Sequence, residues 1–218
     1  MTARLTTRLR PLLFALMLAS LIGVAACGSD SEESASGAKG AKPVEMAFLT
    51  SMVHHHETAI EMAKIAEKRG KSPFVKGLAG DIVETQEREM DQMRSIHQRL
   101  FDAKLEADPA GHDGLGLTAG EAGMTHTPAV NAMLEKANPF DRAFVDEMVP
   151  HHSGAVRMAK VVLESTEDAE LRKLAEGIVS TQEGEIEMMN SFREQRYGAP
   201  VPSPPGMDDG EHGSGHSG

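Results

Sequence analysis

The chain contains an internal repeat, in which two segments align at a constant offset of 96 residues. Residues 48–64, FLTSMVHHHETAIEMAK, align without a gap on residues 144–160, FVDEMVPHHSGAVRMAK. The same offset continues through a second block, where residues 78–93 align on residues 174–189. Self-similarity at one offset is typical of a duplicated structural unit. The chain is therefore predicted to bury its core between two copies of one unit.

Each copy is predicted to be a helical hairpin. A proline follows a helix-capping residue at Ser72-Pro73 and at Asn138-Pro139, as at the start of many helices. Residues 165–168 resemble a capping box that opens the last helix, with Asp in place of the usual Glu or Gln. The predicted helices lie at about residues 43–69, 72–103, 139–164 and 167–196, and a short helix at 127–137 leads into the third.

Composition supports an all-α fold. The chain has no Trp, one Tyr and 14 Met, and no stretch alternates as a strand does. Two hairpins can each bury an apolar stripe only against the other. The predicted fold is therefore an all-α, four-helix bundle made of two duplicated helical hairpins, with repeats at residues 44–103 and 139–197.

The N-terminus has the features of an export signal. Arg4, Arg8 and Arg10 precede a largely apolar run at residues 12–24, which is too short to span a bilayer comfortably. Small residues then precede Cys27, the single cysteine of the chain, as in the lipobox of bacterial lipoproteins. A lone thiol in an exported protein has no disulfide partner, so a covalent lipid at Cys27 explains it. The alternative is an ordinary signal peptide followed by an incidental cysteine.

These features predict four segments: a signal peptide at residues 1–26, a lipidated disordered tether at 27–42, the bundle at 43–198 and a flexible His-containing tail at 199–218. The mature protein is expected outside the cytoplasm, anchored to the cell membrane through its lipid. Homo-oligomers are possible.

The net charge of the chain indicates which kinds of partner it can bind. The formal charge is −11, and it becomes −14 once the three arginines of the signal are removed. Nucleic-acid binding is not expected, because it requires Lys and Arg to neutralise phosphates. A chain of this charge attracts cations instead.

Histidine, methionine and carboxylate side chains recur on the helix faces that also carry the packing residues. The paired imidazoles are His55-His56 and His151-His152. Burying two imidazoles per hairpin is unfavourable unless each is hydrogen-bonded or bound to an ion. Either a polar network or a metal site satisfies this requirement, and we favour the metal site, at which the side chains of both repeats would converge on a shared ion. The candidate metal-site residues are His55, His56, His151, His152, Met52, Met62, Met148, Met158, Glu89 and Glu185.

Ligand softness indicates the metal. Imidazole suits Zn, Cu, Fe and Ni, whereas thioether favours Cu(I), so copper is the first expectation and zinc or iron the weaker ones. A ferritin-like iron site would require Glu-x-x-His motifs, and the four predicted main helices contain none. His54 of the first repeat aligns with Pro150 of the second, which should kink its helix, so the two halves are not expected to bind identically. Weaker candidates lie outside the main helices, at His112, Met124, His126, Met207, His212 and His216.

The block Met148-Val-Pro-His-His152, with Met158 and the Gln182 to Met189 segment behind it, resembles domain-of-unknown-function family 305. That family consists of secreted bacterial proteins with a paired-His motif and two similar helical hairpins, grouped with the ferritin-like superfamily. Some members are linked to periplasmic copper binding. The resemblance covers both repeats and implies that His55-His56 and His151-His152 are the paired histidines of this chain.

The sequence thus predicts a cell-envelope lipoprotein that binds a transition metal, most readily copper as Cu(I) or Cu(II), for sequestration or transfer. Glu89 and Glu185 would orient the imidazoles as carboxylates often do. One alternative is a metal-dependent oxidoreductase of ferritin-like type that uses the same histidines. Another is a structural envelope protein without metal.

Overall fold

The computed structural model describes residues 43–202. This part of the chain contains five α-helices and one short 3-10 helix, joined by turns and loops. The predicted signal peptide, Cys27, the tether, and Met207, His212 and His216 of the tail lie outside the described residues. The prediction of an all-α fold built from two hairpins is confirmed. Within the described residues, no helix combines the length and apolarity needed to cross a membrane. The helices are α1 (Pro43–Arg69), α2 (Pro73–Phe101), α3 (Pro128–Leu134), α4 (Phe140–Ser165) and α5 (Ala169–Tyr197), with a 3-10 helix at Gly111–Leu115 between α2 and α3.

The helix ends follow local chemistry. The Ser72 hydroxyl accepts a hydrogen bond from the Val75 N–H at 3.1 Å and caps α2 as predicted. The predicted capping box at residues 165–168 is wrong, because Ser165 is the last residue of α4. Asp168 itself caps α5, and its carboxylate accepts from the Leu171 N–H at 2.9 Å. The difference arises because α4 runs to Ser165, which leaves Asp168 as the residue directly before α5.

Two reciprocal contacts show how the hairpins fit together. Asp141, at the start of α4, accepts hydrogen bonds from the N–H groups of Lys71 and Ser72 in the α1–α2 turn, at 2.7 and 2.8 Å. Glu45, the aligned residue of the first repeat, accepts from the Thr166 hydroxyl in the α4–α5 turn at 2.6 Å. Each first helix therefore begins against the turn of the other hairpin, so α1 and α4 are antiparallel.

Antiparallel packing divides the core into two clusters. The Met52–Met158 cluster joins the first half of α1 to the second half of α4 and includes Met90 and Met93 of α2. The Met62–Met148 cluster joins the opposite halves of these helices and includes Met189 of α5. The two clusters exchange places under the 96-residue repeat, because Met52 aligns with Met148 and Met62 with Met158.

The connection between the repeats packs closely on α4. A Cβ atom on Gly154 would collide with the backbone of Ala122 and Gly123. Gly123 has φ +67°, and a side chain there would also meet the carbonyl oxygen of His151 at 2.7 Å. Gly154 therefore lets the backbone of the connection lie directly against α4, beside the second histidine pair.

Gly154→Ala is expected to lower the free energy of unfolding by at least about 2 kcal/mol, because two backbone segments must separate to admit one methyl group. Gly77→Ala in α2 is the matched control. A Cβ there meets no atom within 4 Å, so this variant should be more stable by about 0.5–1 kcal/mol through helix propensity. Urea unfolding of both variants makes the comparison. Equal stabilisation by the two substitutions would contradict the close packing of the connection on α4.

Candidate metal centre

Four histidines lie where α1 packs on α4, and all are buried. His55, His56 and His152 are fully buried, and His151 is 4% exposed. The rings of His55 and His151 face each other with centroids 3.6 Å apart and planes tilted by 39°. These two residues occupy the same position in the two repeats, so the hairpins meet at equivalent points of α1 and α4.

The outer histidine of each pair is hydrogen-bonded to a carboxylate from its own hairpin. His56 Nε2 donates to Glu89 Oε2 at 2.8 Å, and His152 Nε2 donates to Glu185 Oε2 at 2.7 Å. An ionised carboxylate can only accept a hydrogen bond, so the proton of each imidazole lies on Nε2. Both repeats therefore hold this ring in the same tautomer through aligned glutamates.

The inner histidines are held across the interface between the hairpins. His55 Nε2 donates to the backbone carbonyl oxygen of His151 at 2.9 Å. His151 Nε2 lies 2.8 Å from the Thr58 hydroxyl, whose own proton is donated to the carbonyl oxygen of His55 at 2.8 Å. The Thr58 oxygen must therefore accept from His151. Both inner rings then carry their proton on Nε2 as well.

The four rings share one feature, a buried Nδ1 atom without a hydrogen-bond partner. Nδ1 has no hydrogen-bond partner in His55, His56, His151 or His152. Burial, followed by the charge of His56, lowers the pKa of His55 well below its ordinary value. Burial, followed by the charge of His55, does the same to the pKa of His151, so both rings are neutral at pH 7. Neutral imidazole with one nitrogen hydrogen-bonded and the other bare is the form in which histidine binds metals.

The four candidate methionines do not form one group. Met52, Met62, Met148 and Met158 are all at most 1% exposed. Met52 and Met158 belong to one core cluster, whereas Met62 and Met148 belong to the other. Each first helix therefore contributes one thioether to each cluster. The role of these residues as metal ligands stays a prediction.

Histidine, cysteine and carboxylate side chains alone do not form a complete metal site in the part of the chain that the structure describes. Among residues 43–202, no three His, Cys, Asp or Glu side chains are grouped so that they could hold a metal ion. Any ion bound to these imidazoles would therefore need a thioether or another donor to complete its coordination. The donor set fits a soft ion, which accepts thioethers, better than a hard one.

Two glutamines were missed as candidate site residues. Gln86 and Gln182 are 2% and 1% exposed, and in each the amide oxygen and nitrogen both lack a hydrogen-bond partner. Buried amides are rarely left unpaired, so each requires an explanation such as a ligand or a bound water. They align in the repeat one turn before Glu89 and Glu185, and this preservation was the signal that could have marked them.

The weaker candidates are placed differently from one another. His112 is buried, with Nδ1 3.2 Å from Asp113 Oδ1. His54 is partly exposed and lies 4.0 Å from Glu57. Met124 packs against the Met52–Met158 cluster. His126 lies beside the paired histidines, with its ring perpendicular to that of His151 and the centroids 6.4 Å apart.

Comparison with known proteins gives one family. Residues 45–193 match the profile of a family described as "Domain of unknown function (DUF305)". A putative secreted DUF305 protein from Streptomyces coelicolor has a similar structure, with a TM-score of 0.65 and 26% identity over 74% of this chain and 98% of that one. The resemblance to family 305 inferred from the paired-His motif is thus confirmed.

A second similar structure carries metal. CopM in its Cu(I)-bound form has a TM-score of 0.59 and 32% identity, covering 71% of this chain and 98% of that one. CopM structures also exist in Cu(II)-bound and Ag-bound forms. Uncharacterized protein L153 of Acanthamoeba polyphaga mimivirus is 38% identical over 67 residues, which span 31% of this chain and 44% of the viral protein.

The free energy of unfolding of the metal-free protein is expected to fall as the pH is lowered from 7 to 5. His55 and His151 have lowered pKa values when folded. Below the unfolded pKa of about 6.5, the unfolded chain therefore binds more protons than the folded protein. Each histidine contributes a loss of up to about 1.4 kcal/mol per pH unit until its folded pKa is reached. Urea unfolding at several pH values measures the slope.

A double variant, His55→Gln with His151→Gln, is the control for this slope. Glutamine retains a side-chain N–H donor but does not titrate in this range. The pH dependence between 7 and 5 should therefore flatten. An unchanged slope in the double variant would show that other groups are responsible for the pH dependence.

Proposed function

Since the chain belongs to the DUF305 family, we propose that it binds copper and holds it for sequestration or transfer at the outer face of the cell membrane. The observation that carries this proposal is the set of four buried imidazoles whose Nδ1 atoms have no partner. A buried acceptor without a donor costs about 1–3 kcal/mol. A cation bound at Nδ1 would remove this cost.

Copper is the metal that suits these donors best. Zinc sites are almost always four-coordinate with Cys, His or carboxylate ligands, whereas the described residues group no three such side chains around one point. Cu(I) accepts thioethers, and the helices that carry the paired histidines also place buried methionines in both core clusters. The similarity to CopM, solved with Cu(I), Cu(II) and Ag, supports the same choice.

The proposed roles follow from the hydrogen bonds. His56 and His152 would bind through Nδ1, while Glu89 and Glu185 fix their tautomer and orientation from the other side of the ring. His55 and His151 would bind in the same way, held by the His151 carbonyl and the Thr58 hydroxyl. Met52 and Met158, and in the other cluster Met62 and Met148, would supply soft ligands.

Burial of the histidines favours binding over turnover. All four rings are at most 4% exposed, and a redox enzyme needs a coordination position that its substrate can reach. We therefore propose a protein that holds or hands on copper rather than an oxidoreductase.

Copper binding is tested by anaerobic titration of the mature protein with Cu(I) against a chromophoric chelator. The variant with His56→Ala and His152→Ala should bind Cu(I) at least about 100-fold more weakly, because two ligands are lost. His97→Ala is the matched control. His97 is also buried, but its Nδ1 donates to the Ala103 carbonyl at 3.0 Å, so this variant should keep wild-type affinity.

The thioether contribution is tested in the same titration. Replacing Met52, Met62, Met148 and Met158 with Leu keeps the core apolar and should weaken Cu(I) binding far more than Zn(II) binding.

For the histidine test, undiminished Cu(I) affinity in the variant with His56→Ala and His152→Ala would contradict the proposed site.

The lipid anchor is a separate part of the proposal and rests on Arg4, Arg8, Arg10, the apolar run and Cys27. Intact mass of the protein purified from bacterial membranes should show a chain that begins at Cys27 and carries a diacylglycerol. Cys27→Ala should release the protein from the membrane fraction while leaving Cu(I) affinity unchanged. A mature chain with a free Cys27 thiol would contradict the anchor without affecting the metal site.

A further inference from the structure

A partly open cavity of about 200 Å³ lies beside the second histidine pair. Its walls combine buried and exposed residues. Met62 and His151 are buried, His126 and Glu147 are partly buried, and Thr125 is exposed. The cavity therefore leads from the surface to a thioether and to one of the four buried imidazoles.

The imidazoles of His126 and His151 both line this cavity. His151 is 96% buried, as its 4% exposure implies, and its Nδ1 is unpaired. His126 Nε2 is also buried and unpaired. The ring centroids are 6.4 Å apart and the planes are perpendicular. An ion bound linearly between the two rings, about 2 Å from a nitrogen of each, would place the centroids about 6 Å apart, so this spacing allows an ion to pass directly from His126 to His151.

His126 is held in place by the connection that carries it. Gly123 packs against the His151 carbonyl and Gly154, and Arg157 Nη1 donates to the carbonyl oxygen of Glu121 at 2.9 Å. The Asn131 side chain lies beside the His126 ring and donates to Glu61 Oε2 at 2.8 Å. Asn131 lies close enough to the His126 ring for a side-chain hydrogen bond, although neither Asn131 Oδ1 nor His126 Nε2 has a partner in well-formed hydrogen-bond geometry.

The connection between the repeats packs differently on the first repeat, at the position that aligns with Glu147. There Gly111 packs on Thr50 and Ser51, where a Cβ would lie 3.0 and 3.1 Å from their side-chain atoms. Ser51 is the residue that aligns with Glu147. The connection therefore packs Gly111 and its 3-10 helix on the first repeat, whereas on the second repeat His126 and Glu147 line a cavity.

We propose that this cavity is the uptake site for a soft cation of the Cu(I) class, first held by His126 Nε2 and the Met62 thioether and then passed to His151. Glu147 places a carboxylate on the cavity wall, which attracts a cation. The proposal rests on the proposed copper binding but concerns the route of uptake, which the buried histidines alone do not define.

The test is the rate at which the mature protein takes Cu(I) from a chromophoric chelator in anaerobic stopped-flow measurements. His126→Ala should slow uptake at least about fivefold, while the equilibrium affinity stays within about threefold of wild type, because the buried histidines remain. His126→Met restores a soft ligand and should recover most of the rate. Asn131→Ala removes the amide beside the ring but keeps the imidazole, and it should stay near the wild-type rate.

A second measurement tests the same site in the wild-type protein, without variants. Ag(I) added to the wild-type protein beyond the amount that the paired histidines bind should shift the ring resonances of His126 in NMR spectra, because the ion can then no longer pass inward. Wild-type uptake rates in His126→Ala would overturn the proposal. So would equal slowing by His126→Ala, His126→Met and Asn131→Ala, since that pattern indicates a purely structural role. A wild-type protein that binds no Cu(I) would instead overturn the proposed function, and the uptake site with it.

Discussion

The two hairpins are joined by the packing of α1 against α4, where His55 faces His151. Each hairpin has one helix that must be covered by the other hairpin, and the two helices meet at residues that align in the repeat. Antiparallel packing then places Glu45 and Asp141 against opposite turns. It also brings the imidazoles of both repeats together at the centre of the bundle.

Burying four imidazoles requires that their hydrogen-bonding groups be satisfied, and the protein satisfies only one side of each ring. Glu89, Glu185, Thr58 and the His151 carbonyl all engage Nε2. Nδ1 is left bare in every ring. An unpaired buried acceptor costs about 1–3 kcal/mol, and such a cost at four positions is expected at a functional site rather than in a structural core. The unpaired amides of Gln86 and Gln182 extend the same pattern.

The helices and the buried faces could be predicted from the sequence because both depend on local periodicity and on a repeat. The grouping of the methionines into two clusters could not be predicted from the sequence. On one helix Met52 and Met62 lie on neighbouring stripes, but the antiparallel α4 pairs Met52 with Met158 and Met62 with Met148. Thr58 could not be predicted as a site residue, because the second repeat has Gly154 at the aligned position. His126 was only a weak candidate, because its position depends on how the connection packs at Gly123 and Gly154.

Nitrogen-15 NMR of the imidazole rings tests whether copper binds through the Nδ1 atoms. In the metal-free protein at pH 7, His55, His56, His151 and His152 should each show a protonated Nε2 and a bare Nδ1. After addition of Cu(I), the Nδ1 resonances should shift while the Nε2 protons remain. Rings protonated on Nδ1, or Nδ1 resonances that Cu(I) leaves unchanged, would contradict binding through these nitrogens.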